Sequence, residues 1–219
     1  DKNRIVFEGY GTGPNQLYTI NADGTGLAVV PNTIGAGAPA WSPDGTDLVF
    51  VSGALSPAQL CAIHTDGTGL VQLTHETNGV SLEDFACSPD GSRIAYTTPG
   101  GTKIMDANGG NVVDFPVTMQ QMDWSPDGTS FVFCAPTGVS GGNTIDQVFR
   151  VNADGTGLVM LTDTDSHGGA CWSRDGSRIV VVDLWANGPP NMSLINPDGS
   201  GPVPIPGAYI YYCYQPCWH

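Results

Sequence analysis

His167 follows Asp163 and Asp165 in the loop Thr162-Asp163-Thr164-Asp165-Ser166-His167-Gly168-Gly169, where an imidazole and carboxylates come together as a metal site or an acid/base pair needs. They are weak metal candidates, since His64, His75 and His219 stand at no motif spacing from them and a working site needs convergent partners. A second polar group, Glu83, Asp84, Gln120, Gln121 and Asp123, falls where two strands begin; it would line a wet polar channel or hold a cation there. A third group is aromatic: Trp185 with Tyr209, Tyr211, Tyr212 and Tyr214. Rings of this kind either wedge a core or, when exposed, stack on sugars and partner proteins. Trp185, the four tyrosines, Glu83, Asp84 and Gln120 form the expected ligand-binding set. No Gly-x-Ser-x-Gly elbow, phosphate loop or His-Glu-x-x-His helix occurs, so no catalytic residue is assigned and the sequence leans away from an enzyme.

These residues must be positioned by a repeat that fills the chain. Trp41-Ser42-Pro43-Asp44-Gly45 leads to Leu48-Val49-Phe50, and Trp124-Ser125-Pro126-Asp127-Gly128 to Phe131-Val132-Phe133. Cys87-Ser88-Pro89-Asp90-Gly91 and Trp172-Ser173-Arg174-Asp175-Gly176 are further copies, and Pro216–His219 with Asp1–Phe7 read as one copy split between the termini. The triplets end at Phe7, Phe50, Tyr96, Phe133 and Val181, at intervals of 43, 46, 37 and 48 residues, with 45 across the termini. A period of this size with short strands predicts an all-β, five-bladed β-propeller of four-stranded antiparallel blades. The expected blades are 1–30 with 212–219, then about 37–74, 82–115, 119–162 and 168–206, in a single domain over 1–219. Pairing 212–218 with 3–8 would close the ring and cover two strand edges.

Strand C of each blade is expected at Leu17–Asn21, Leu60–His64, Lys103–Asp106, Val148–Asn152 and Met192–Asn196, each running into a Gly-containing hairpin turn. The short turns then share one rim, and the longer B–C and D–A connections share the other, where a binding surface would be built. The aspartates of these turns are read as caps for backbone amides. A calcium reading of runs such as Asn152-Ala153-Asp154-Gly155 lacks the downstream acidic ligand that higher coordination requires, so no cofactor is expected, with bound calcium as the alternative.

Seven basic against 21 acidic residues give a formal net charge of −14. Such a field repels phosphate backbones and anionic membranes, which excludes nucleic acid as the expected partner. No run approaches the roughly 20 apolar residues of a membrane-spanning helix, and no segment reads as a signal peptide. Six cysteines, an even number without Cys-x-x-Cys spacing, favour an oxidising compartment. Cys87 stands where the other copies have Trp, and Cys61 where two other C strands have Tyr18 and Phe149. A Cys61–Cys87 disulfide between neighbouring blades is therefore expected, with a pair of small buried thiols as the alternative. Cys134 with Cys171 is a further possible pair across neighbouring blades.

The Trp-Ser-Pro-Asp-Gly turns, the apolar strands after them and the pairs Leu73-Thr74 and Leu161-Thr162 resemble the TolB-like propeller repeat over essentially the whole chain. That resemblance implies the fold, and a range of roles from periplasmic accessory proteins to peptidase propellers, polysaccharide lyases and surface proteins. The expected function is a non-catalytic extracellular or periplasmic binding or scaffold module that holds a protein or glycan on the long-loop rim. The alternatives are a self-associating structural subunit of a surface assembly, and a polysaccharide lyase or hydrolase with a metal-assisted site near His167.

Overall fold

The computed structural model describes residues 3–10, 13–82, 84–140, 143–163, 167–183 and 191–205, and every regular element among them is a β-strand. They fall into two compact units, Asp1–Asp114 and Phe115–His219. The first unit holds three blades. Blade one is β1 (Arg4–Gly9), β2 (Gln16–Asn21) and β3 (Ala28–Val29). Blade two is β4 (Ala36–Trp41), β5 (Asp47–Ser52), β6 (Gln59–His64) and β7 (Val71–Gln72). Blade three is β8 (Phe85–Cys87), β9 (Arg93–Thr98), β10 (Gly101–Asp106) and β11 (Val113–Asp114). The second unit holds blade four, β12 (Gln120–Trp124), β13 (Ser130–Ser140), β14 (Asn143–Asn152) and β15 (Val159–Met160). Blade five is β16 (His167–Trp172), β17 (Ile179–Asp183), β18 (Asn191–Ile195) and β19 (Val203–Pro204). Each blade is an antiparallel meander in sequence order, five blades in a propeller arrangement, as the repeat predicts.

The Ser-Pro-Asp-Gly turns show why the motif repeats. Ser42 Oγ donates to Asp44 Oδ1 at 2.6 Å while accepting the amide of Asp47, and the Thr46 amide donates to the same carboxylate. Ser88 with Asp90, Ser125 with Asp127 and Ser173 with Asp175 repeat it. The Ser hydroxyl, then the backbone amide, hold these carboxylates below their ordinary value of 3.8, with Asp90 and Asp175 at about 2. A depressed folded-state pKa means stability that is present above the ordinary value and is lost as pH falls through the folded one. The melting temperature is therefore expected to drop between about pH 4 and pH 2, and Asp90→Asn to flatten part of that slope in a pH series of thermal melts.

Strand alternation assigns each residue to one seam between blades. Leu48, Phe50, Cys61 and Ile63 of blade two pack with Leu17 and Val30 of blade one. Val49, Val51 and Leu60 face the other way, onto Ile94, Tyr96 and Met105 of blade three. In the second unit Val132, Cys134 and Val148 meet Trp172, Ile179 and Val181. Trp124 and Trp172 are buried, Trp41 is half-buried against the first of these clusters, and Trp218 lies outside the described residues. Ile5 and Phe7 hold the strand positions of Leu48 and Phe50, yet they remain 53% and 36% exposed. The expected pairing of 212–218 with this strand lies outside the described residues.

Neither expected cysteine pair is joined: no disulfide links Cys61, Cys87, Cys134 or Cys171 to another described residue. Cys61 faces blade one, whereas Cys87 packs into the seam formed by the opposite face of blade two. The residues that look toward Cys87 are Leu60 and Ala62, one strand position to either side of Cys61, and one position changes the face of a strand. The same parity separates Cys134, which shares a cluster with Ala170 and Trp172, from Cys171, which lies between those two in sequence. Cys213 and Cys217 lie outside the described residues. Burial pushes the thiol of Cys61 up to about 11 and that of Cys87 to about 12, so neither is a thiolate at neutral pH. Alkylation should accordingly miss both in the native protein and reach both after denaturation without reductant; a pair still blocked then would contradict these positions.

Candidate functional site

The two ends of each blade differ in what their polar groups do. At the short-turn end the carboxylates serve their own turns. Asp23, Asp66 and Asp154 accept the amide and hydroxyl of Thr25, Thr68 and Thr156, and Asp198 accepts those of Ser200. These bonds hold all four acids below their ordinary range, the side-chain hydroxyl contributing most. This end is nearly the same in every blade.

The loop end differs from blade to blade. In the first unit Asn15 Nδ2 donates to Glu8 Oε1 and to the carbonyl of Ala36, both at 2.9 Å. The connection after β7 is tied down more heavily. Gln59 accepts the Thr74 hydroxyl at 2.8 Å and the Glu76 amide at 3.0 Å, and its own Nε2 donates to the Glu76 carbonyl at 2.8 Å. The Glu76 carboxylate takes the Tyr96 hydroxyl at 2.8 Å and Lys103 Nζ at 2.9 and 3.0 Å. Burial, then the bond to Glu76, raises the Tyr96 phenol above its ordinary value. Asp84 is half-buried and its carbonyl accepts the Thr97 amide, while Glu83 lies outside the described residues.

In the second unit β13 and β14 have eleven and ten residues where β5 and β6 have six each. Their ladder continues past Ala135–Gln147, through a bulge between Pro136 and Gly138, to Ser140–Asn143. β12 stops pairing at Cys134 and β15 at Phe149, so the hairpin projects from the loop end as a two-stranded arm about 15 Å long at the usual strand rise. Pro136, Thr137, Gly138 and Thr144 on it are exposed, and Val139 is 72% exposed. Burial raises the Asp146 carboxyl at its base. In the sequence this arm is signalled only by the 48-residue interval and by the Ser140-Gly141-Gly142-Asn143 hairpin pattern, which the repeat itself does not contain.

His167 is buried at the start of β16, opposite Asp183 in register, with its Nδ1 3.1 Å from Asp183 Oδ1. Ser193 Oγ donates to Asp183 Oδ2 at 2.8 Å. The hydroxyl thus meets the carboxylate rather than the imidazole, which is not the order that activates a serine nucleophile. Asp163 is exposed, Asp165 lies outside the described residues, and no group of three metal-ligating side chains gathers among the described residues. Asp123 Oδ2 accepts the Trp172 amide at 2.8 Å and so joins β12 to β16. Gln120 is exposed and Gln121 sits at φ 49° on the β12 bulge. Trp185, Tyr209, Tyr211, Tyr212 and Tyr214 lie outside the described residues.

The family model described as the TolB beta propeller domain matches residues 1–218. No curated protein matches the chain. Among solved structures it is similar to TolB from Acinetobacter baumannii, at 18% identity and a TM-score of 0.76 over 92% of this chain and 52% of that one. It is similar also to the putative TolB from Agrobacterium tumefaciens, at 20% and 0.69 over 86% and 73%. A third likeness is to a chain of the nidogen/laminin complex, at 13% and 0.70 over 94% and 78%. The chain spans about half the length of the Acinetobacter protein, and at these identities the likeness is one of fold.

Proposed function

Because this chain belongs to the TolB beta propeller domain family, we propose that it is a non-catalytic binding or scaffold module working outside the cytoplasm, with the loop ends of its blades as the binding face. The observation that carries this reading is the β13–β14 arm. The short-turn ends spend their carboxylates on their own hairpins, whereas the arm extends a strand ladder beyond the blade and presents Thr137, Val139 and Thr144 to solvent. Beyond Cys134 no described strand pairs with the outer edge of β13. An extended peptide can add to such a ladder through main-chain hydrogen bonds, and that favours a protein over a glycan as the occupant. The net charge of −14 favours a partner that is basic.

With no disulfide among its described cysteines, the extracytoplasmic placement rests on the family resemblance. Presenting the purified protein to immobilised basic proteins and to a glycan array tests the reading. Saturable binding that weakens with salt, and no turnover of bound polysaccharide, is the expected result. Metal-dependent cleavage of a polysaccharide would replace it with the lyase alternative. Light scattering that shows a discrete oligomer would favour the self-associating subunit.

A further inference from the structure

Asn108 stands where four other C–D turns carry Asp23, Asp66, Asp154 and Asp198, and Gly109 follows it. We propose that Asn108 is a site of spontaneous deamidation, which converts the third-blade turn toward the aspartyl form that the other four blades encode. Asn108 is exposed, and the Gly110 amide donates to its side-chain Oδ1 at 2.9 Å. That bond polarises the carboxamide carbonyl and stabilises the oxyanion that forms when a nucleophile adds to it. It also keeps the carboxamide beside the Asn108–Gly109 peptide, whose nitrogen, with no side chain on Gly109 to obstruct it, is the nucleophile once its 2.9 Å bond to the Asp106 carbonyl opens.

In the first step the Gly109 nitrogen loses its proton and forms a bond to Asn108 Cγ, the Cγ–Nδ2 bond breaks, and ammonia leaves a five-membered succinimide. Water then adds to either ring carbonyl. Opening at one gives aspartate; opening at the other gives isoaspartate, with the main chain running through the former side-chain carbon. The net change is one water consumed and one ammonia released, with no oxidation or reduction.

The surroundings keep this dipeptide in place. Gly109 has φ +86°, and a Cβ there would lie 2.6 Å from the Leu73 carbonyl oxygen, so no other residue fits without moving backbone. The aspartyl product keeps the acceptor for Gly110, as Asp66 keeps its own for Thr68. The isoaspartyl product lengthens the main chain between Asp106, whose amide donates to the Gly110 carbonyl, and Gly110, and pushes Gly109 against Leu73.

The intact folded protein, aged in mildly alkaline buffer and mapped by peptide mass spectrometry, tests the proposal. Conversion at Asn108 should outpace that at the other Asn-Gly pairs, Asn78-Gly79 and Asn187-Gly188, by several-fold. The Asn108→Asp variant should lack this fast phase and melt with the fresh protein. Asn108 remaining intact while the other pairs convert, or converting only in the urea-unfolded chain, would overturn the assignment.

Discussion

Replacing Trp172 by Ala is expected to destabilise the protein by about 3–5 kcal/mol in a urea titration, the loss that follows removal of a large aromatic from a core. Trp172 is 6% exposed and fills the seam between blades four and five against Val132, Cys134 and Val148. Its indole N–H has no acceptor among the described residues, so the loss reports packing rather than a hydrogen bond. The backbone bond from Trp172 to Asp123 survives the substitution. Trp41→Ala should cost clearly less, because Trp41 is only half-buried, with Arg4 over its ring at 5.9 Å. Equal losses at the two positions would mean that the seams are not what these residues hold together.

Glu76→Ala is expected to cost about 2–4 kcal/mol, somewhat under the range for breaking a buried pair because its side chain keeps 19% exposure and that of Lys103 25%. The change strands the Lys103 ammonium and the hydroxyl of the buried Tyr96 together. Glu76→Gln should cost less, since a carboxamide oxygen still accepts from Tyr96. In a double-mutant cycle, Lys103→Met should recover part of the Glu76→Ala loss by removing the stranded charge. Strict additivity would show that the pair does not couple.

The repeat made the blades legible, because each Ser-Pro-Asp-Gly turn joins two strands of fixed parity and each Asp-Gly turn joins the next two. The bond from Ser42 to Asp44 and its copies are the physical content of that motif. What the repeat leaves open is which face a residue takes within a strand, and the Cys61–Cys87 reading failed there by a single position. The candidate site was less legible because its contacts join residues far apart in sequence. Glu76 meets Lys103 across 27 positions and Asp123 meets Trp172 across 49, and no local spacing encodes either. His167 was singled out from its sequence neighbours, yet it is Asp183 that lies beside it, placed by the register of β16 on β17.

The claim that the loop end binds while the short-turn end only folds is tested most directly by shortening the arm. Residues 137–145 would be replaced by Asn-Gly, a two-residue hairpin turn that keeps Pro136 opposite Asp146, and binding to any partner found for the native protein would be measured beside that of Asp127→Asn at the short-turn end. The shortened protein should melt within a few degrees of the native one and lose binding at least ten-fold, about 1.4 kcal/mol, while Asp127→Asn keeps it. Binding that survives the loss of the arm and falls with Asp127→Asn would contradict the account.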